Sequence, residues 1–335
     1  MPSRIKDSCR LDFYTGGDLY CPEEAGNGVM YEVCVTFFMK IKQVITSFGN
    51  GYSQVLLQNN VVSGLFFFFA TGIASFNMGH PEILYFSAIS AALSPFFAWC
   101  LRYPDEEINE GIWGYNAVLY GIACGMVVPV SVSGIAVLIV GTLGIVLFTP
   151  LLSSVLRGLP VLTAPFIIAT WLLHSGIMPH DMSVPSGEGA GSVLMKNYPV
   201  AFSGSFMEIF MFPDAVGGIL VMLGLLAGSR KLLMITVVAS FLSVVVSFCI
   251  PELSPDKISA GLYGYNAILT AVAVYAFAGD NQFNNIFLGC GAIILAFIIP
   301  VLIGPRIPVP LLTSPFVIST WLYILAQRRC MSSHI

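Results

Sequence analysis

Long apolar runs alternate with short polar breaks along most of the chain. Ten of them approach the roughly 20 residues that a helix needs to cross the hydrocarbon core of a bilayer. They are 61–77, 83–101, 112–128, 132–152 and 159–178, then 215–228, 232–250, 262–278, 286–304 and 309–327. Breaks such as Asn77-Met78-Gly79-His80-Pro81 and Pro251-Glu252-Leu253-Ser254-Pro255 separate them. The runs are continuous, unlike the alternating segments of about 10 residues in an outer-membrane barrel. The pattern predicts an all-α polytopic membrane protein with ten transmembrane helices. Segment 33–48 mixes Lys40 and Lys42 with Val35, Phe37, Phe38, Ile41, Val44 and Ile45. That predicts an amphipathic helix lying in the membrane interface. Residues 193–202 are expected to play the same part before the second half.

The chain also resembles itself. Residues 111–123 (GIWGYNAVLYGIA) and 261–273 (GLYGYNAILTAVA) share 7 of 13 positions. Residues 159–172 (LPVLTAPFIIATWL) and 309–322 (VPLLTSPFVISTWL) share 9 of 14. Both pairs lie at an offset of 150, which marks an internal duplication. A third pair, QVLLQNNVVSGLF from 54 and EIFMFPDAVGGIL from 208, shares only Val62/Val216 and Gly64/Gly218. Each half carries five runs, an odd number, so the second half must enter the membrane from the opposite side. Two inverted five-helix repeats follow, and such proteins hold solute near the midplane between the repeats. The expected division is an N-terminal segment 1–49, a first repeat 50–178, a connector 179–203, a second repeat 204–327 and a tail 328–335.

Composition narrows the class. Of 335 residues, 56% are apolar and 10% charged, against about 25% charged in soluble domains. This excludes a soluble enzyme, a nucleic-acid binder and a disordered chain. With a cytoplasmic N-terminus, 11 Lys and Arg fall on inside segments and 3 on outside ones (Lys196, Lys257 and Arg306). Both termini are therefore expected to be cytoplasmic. No cleavable signal peptide is expected. The eight cysteines are scattered without a CxxC pair, and His80, His174, His180 and His334 are dispersed. Neither a metal site nor a cofactor is predicted.

Matched polar residues mark the chemistry. Thr163 stands between Pro160 and Pro165, and Thr313 between Pro310 and Pro315. Proline frees a carbonyl, and irregular backbone in a membrane must be buried or line a polar cavity. The two hydroxyls suit an uncharged polar solute; alternatively they satisfy the freed backbone. Gln54 and Glu208 head segments 54–60 and 208–214, too short to cross, which predicts a re-entrant half-helix in each repeat. Glu208 is read either as a group in the solute path or as a cap facing water. Tyr115 with Leu119, and Tyr265 with Leu269, share a helix face at i, i+4, which suits a narrow slot or helix packing. Asn116 and Asn266 are expected to bridge helices. Within the ten runs there is no Lys, Arg, Asp or Glu, so downhill permeation is the economical reading.

The motifs QVLLQNN-VVSG at 54–64, LPVLTAPF at 159–166, GLYGYNAIL and VPLLTSPF resemble those of the urea transporter family. The resemblance spans roughly residues 50–327. It implies a passive urea channel in a plasma or inner membrane, a homotrimer with one pore per protomer and a slot-shaped selectivity filter. It also implies that Gln54 and Glu208 head ladders of oxygens, and that Thr163 and Thr313 constrict the slot. Tyr115, Tyr265, Leu119 and Leu269 would form apolar walls, with Leu57, Val55 and Ile209 as further wall residues. Two positions depart from the family pattern: Val61, where Pro is common, and Pro213-Asp214, where an Asn-rich turn is usual. A channel for ammonia, short amides or water is the nearest alternative, and an intramembrane enzyme or a structural protein a more distant one. No HExxH or GxSxG motif supports the enzyme.

Overall fold

The computed structural model describes residues 42–177, 198–278, 282–307 and 309–332. The chain divides into two units, Met1–Gln43 and Val44–Ile335. Of the first, Lys42 and Gln43 are described, and they open a helix.

Among the described residues every regular element is helical. The first half contains α1 (Lys42–Leu56), α2 (Val61–Asn77), α3 (Glu82–Cys100), α4 (Asp105–Asn109), α5 (Tyr115–Val127), α6 (Val132–Leu156) and α7 (Ala164–Ile177). The second contains α8 (Tyr198–Met207), α9 (Ala215–Gly228), α10 (Arg230–Cys249), α11 (Pro255–Ala260), α12 (Tyr265–Ala276), α13 (Gln282–Leu302) and α14 (Ser314–Ser332). Helices α3, α6 and α10 are each long and apolar enough to cross a membrane, and α1–α2 and α8–α9 raise the number to five if each bent pair is one span. The first pair bends by 77° and the second by 73°. Shorter apolar helices are α5, α12 and Ile286–Leu302 within α13. An all-helical protein with this many apolar helices is built for a bilayer.

Several boundaries differ from the apolar runs. The runs from 159 and 309 become helical only at Ala164 and Ser314. Pro165 and Pro315 are the second residues of their helices, where a missing N–H costs no hydrogen bond. These prolines start helices rather than breaking them. Segments 54–60 and 208–214 are not separate half-helices either. Each is a closing 3-10 turn, Gln54–Leu56 or Glu208–Phe210, on a longer helix, followed by the bend.

Of the expected interfacial segment, 33–41 lies outside the described residues. Its remainder opens α1, which runs across the boundary drawn at residue 49 and buries Ser47, Asn50, Tyr52 and Val55. Of the stretch 193–202, residues 193–197 lie outside the described residues; Tyr198–Val200, which open α8, are exposed, and the helix is buried beyond them from Ser203 to Met207.

Hydroxyls stitch the interior. Tyr52 Oη and Ser87 Oγ are 2.7 Å apart, Ser90 and Thr142 2.8 Å, and Ser205 and Ser240 2.6 Å. Small polar residues of this kind let helices approach closely without leaving groups unpaired.

Each bent pair folds back until backbone touches backbone. A Cβ on Gly64 would lie 1.7 Å from the Gly49 carbonyl oxygen, and one on Gly218 1.9 Å from that of Ser203. The weakest of the three sequence pairs thus keeps the one residue its contact demands. Gly64→Ala is expected to cost about 1–3 kcal/mol, the usual penalty of overpacking. Thermal unfolding in detergent checks it against Gly144→Ala, where nothing lies within 4 Å. Equal melting temperatures would refute the contact.

Candidate functional site

The two bends are built alike. Leu57 and Met211 close the helices at φ 51 and 73, left-handed conformations that only a constrained site imposes on such residues. Asn60 Oδ1 then accepts from Ser63 N at 3.0 Å and Asp214 Oδ1 from Gly217 N at 2.5 Å. Asp214 therefore makes the same N-cap in the second bend as Asn60 makes in the first.

The Gln54 turn packs on α5 and the Glu208 turn on α12. Gln54 Nε2 donates to Glu110 O at 2.9 Å, which fixes the amide and leaves its oxygen without a protein donor among the described residues. Glu208 is 5% exposed. No ion pair or hydrogen bond among the described residues reaches its carboxyl. This is not a water-facing cap.

Between the turns the two halves repeat their bonding. Tyr115 Oη donates to Leu162 O at 2.7 Å, and Tyr265 Oη to Leu312 O at 2.6 Å. Asn116 Nδ2 donates to Leu162 O at 3.2 Å, and Asn266 Nδ2 to Leu312 O at 3.3 Å. The same asparagines accept from Phe166 N and Phe316 N, both at 3.2 Å. Both asparagines thus bridge helices, as expected. Leu162 and Leu312 sit at φ 51, which turns their carbonyls toward these donors.

Other bonds cross from one half to the other. Trp171 Nε1 donates to Pro310 O at 2.9 Å, and Trp321 Nε1 to Pro160 O at 2.8 Å. Thr163 Oγ1 and Thr313 Oγ1 lie 2.7 Å apart, buried and bonded to each other. The threonines do not satisfy backbone freed by proline. Val161 O accepts from Ala164 N, and Leu311 O from Ser314 N.

The remaining expected site residues divide. Leu119 and Leu269 are buried one turn beyond the tyrosines, and Val55 and Ile209 are buried in the turns. Leu57 is partly exposed and lines a cavity of about 280 Å³ together with Asn60, Ser229 and Tyr275. A second cavity, about 410 Å³, is lined by Pro160, Phe277 and Arg328. The Thr pair lines neither. Sequence reasoning missed Trp171 and Trp321, although both stand in the repeated TWL, and the carbonyls of Leu162 and Leu312. Among the described residues no cluster of His, Cys, Asp and Glu could hold a metal.

The chemistry on offer is a set of neutral donors and acceptors, paired across two matched halves. Residues 45–328 match the family described as "Urea transporter". Urea transporter 1 of Rattus norvegicus is 24% identical over 268 residues, covering 71% of this chain and 65% of the relative. Urea transporter 1 of Mus musculus matches to the same extent. The matched stretch thus spans just under two thirds of these relatives. The family match takes in both bends, both tyrosine motifs and both threonines, and on it the chain belongs to the urea transporter family.

Proposed function

We propose that the protein lets urea cross a membrane passively, through a slot between two inverted repeats. The observation that carries this is the bonding around Thr163 and Thr313. A residue touching its own repeat mate, flanked by indole bonds exchanged in both directions, is what a local two-fold axis through that contact produces. An axis in the membrane plane gives ten spans in two antiparallel sets and a shared polar point near the midplane. Both termini then face the cytoplasm, and the protomers assemble as trimers with a pore in each.

Urea is planar and neutral, with donors and an acceptor in one plane. Shedding its water without replacement would cost several kcal/mol. Gln54, Glu208 and the two threonines supply oxygens in its place, while Tyr115, Tyr265, Leu119 and Leu269 confine its faces. To pass, the solute exchanges the Thr–Thr bond for bonds to itself, a near-balanced trade.

The test is stopped-flow shrinkage of proteoliposomes with urea, thiourea, formamide, glycerol and ammonia. Urea is expected to cross fastest. Preference for another solute would reassign the permeant. Absence of any flux would indicate a structural protein, and hydrolysis of urea an enzyme.

A further inference from the structure

Arginines gather around the cavity of about 410 Å³. It lies where the last turns of α6 and α14 meet the stretch Gly158–Pro160 and Phe277, which follows α12. Its polar side chains are Ser153, Gln327 and Arg328. Arg328 Nη2 donates to Gly158 O at 2.7 Å, which sets the guanidinium on the cavity wall. A guanidinium carries five N–H donors in a planar fork that matches phosphate oxygens. Arg157 and Arg329 each adjoin a lining residue in the chain, and both are exposed. Neither side chain makes a hydrogen bond or ion pair among the described residues.

The repeat does not require these arginines. At the offset of 150, Arg157 is matched by Ile307 and Arg328 by Met178. Helix ends oppose their charge without cancelling it. Each helix C-terminus brings about half a negative charge, so those of α6, α12 and α14 together fall short of three arginines. These helices and α7 contain no Asp or Glu.

The same elements carry exposed apolar faces. On α14, Ile318, Leu322, Leu325 and Arg329 follow one face at i, i+4, i+7 and i+11. The three apolar residues are exposed. So are Leu147, Leu151 and Val155 on α6, whose C-cap is Arg157. An apolar stripe that ends in an arginine suits a molecule with a hydrocarbon tail and an anionic head.

We propose that this end of the protein binds an anionic phospholipid. Its phosphate sits at the cavity among Arg328, Arg157 and Arg329, and its acyl chains lie along α14 and α6. A free phosphate would use the arginines but leave both stripes unused.

Native mass spectrometry of the full chain in detergent, titrated with dioleoyl phosphatidylglycerol or dioleoyl phosphatidylcholine, tests this. The anionic lipid is expected to bind more tightly. Arg328→Gln would also cut the bond to Gly158, so the charge is tested at the two exposed positions. Arg157→Gln and Arg329→Gln are each expected to weaken phosphatidylglycerol about fivefold and to leave phosphatidylcholine unchanged. Arg306→Gln, outside this cluster, should bind both lipids as the unaltered protein does. Equal binding of the two lipids, unchanged binding in the variants, or an equal loss in Arg306→Gln overturns the site. Inorganic phosphate that binds alone and displaces no lipid would overturn the lipid as its occupant. A changed subunit count in the variants with lipid binding intact would assign the face to a second copy of the chain instead.

Discussion

Replacing Thr163 and Thr313 together by Val is expected to slow urea flux about thirtyfold or more. Val has nearly the shape of Thr, so the slot keeps its width and loses only two hydroxyls. A dehydrated solute at that point would then leave polar groups unpaired, at about 1–3 kcal/mol for each lost bond. A barrier raised by about 2 kcal/mol gives that slowing. Stability should barely change, because removing both partners of a buried hydrogen bond in favour of apolar groups of the same shape is nearly neutral. The single variants should behave differently. Thr163→Val leaves the Thr313 hydroxyl buried and unpaired, so it should melt earlier than the double variant. Flux into liposomes at equal protein density, with melting temperature in detergent, separates the cases. Wild-type flux in the double variant would mean that the threonines only pack.

Glu208→Leu carries the second large expectation: urea flux falls about tenfold or more while the melting temperature rises. The carboxyl is buried without an ion pair or hydrogen bond among the described residues, so it burdens the fold. Removing such a group stabilises a protein and harms only what the group is for. Glu208→Gln retains an acceptor oxygen and copies Gln54, so it should stay within about threefold of wild-type flux, since a comparable hydrogen bond is still made. A lower melting temperature together with unchanged flux in Glu208→Leu would give the residue a structural role instead.

The duplication was legible because LPxxTxPF and GYNA recur nearly unchanged, and the retained Tyr, Asn and Thr each make a side-chain bond that few other residues could make. The bent pairs were almost illegible for the opposite reason. What they retain is a left-handed residue, an N-cap and a backbone contact at Gly64 or Gly218. Leu or Met can fill the first role and Asn or Asp the second, so only the glycine is fixed. The starts of α7 and α14 were hidden because a Val-Leu or Leu-Leu stretch that ends in a left-handed turn is as apolar as the helix it precedes. The indoles were visible as repeated tryptophans, but an apolar helix gives no sign that a ring nitrogen reaches the other half.

Those exchanged indole bonds bear on how fast the protein can work. Coupled transporters alternate access by rocking one repeat against the other. Here each half keys into the other once, through Trp171 on Pro310 and Trp321 on Pro160, with the bonded threonines as a third contact. Rocking would have to tear all three contacts at once. On the proposed urea reading, the indole bonds would hold the spacing of the two halves while the Thr–Thr bond alone opens for the solute, so that the solute's own loss and recovery of water would set the pace.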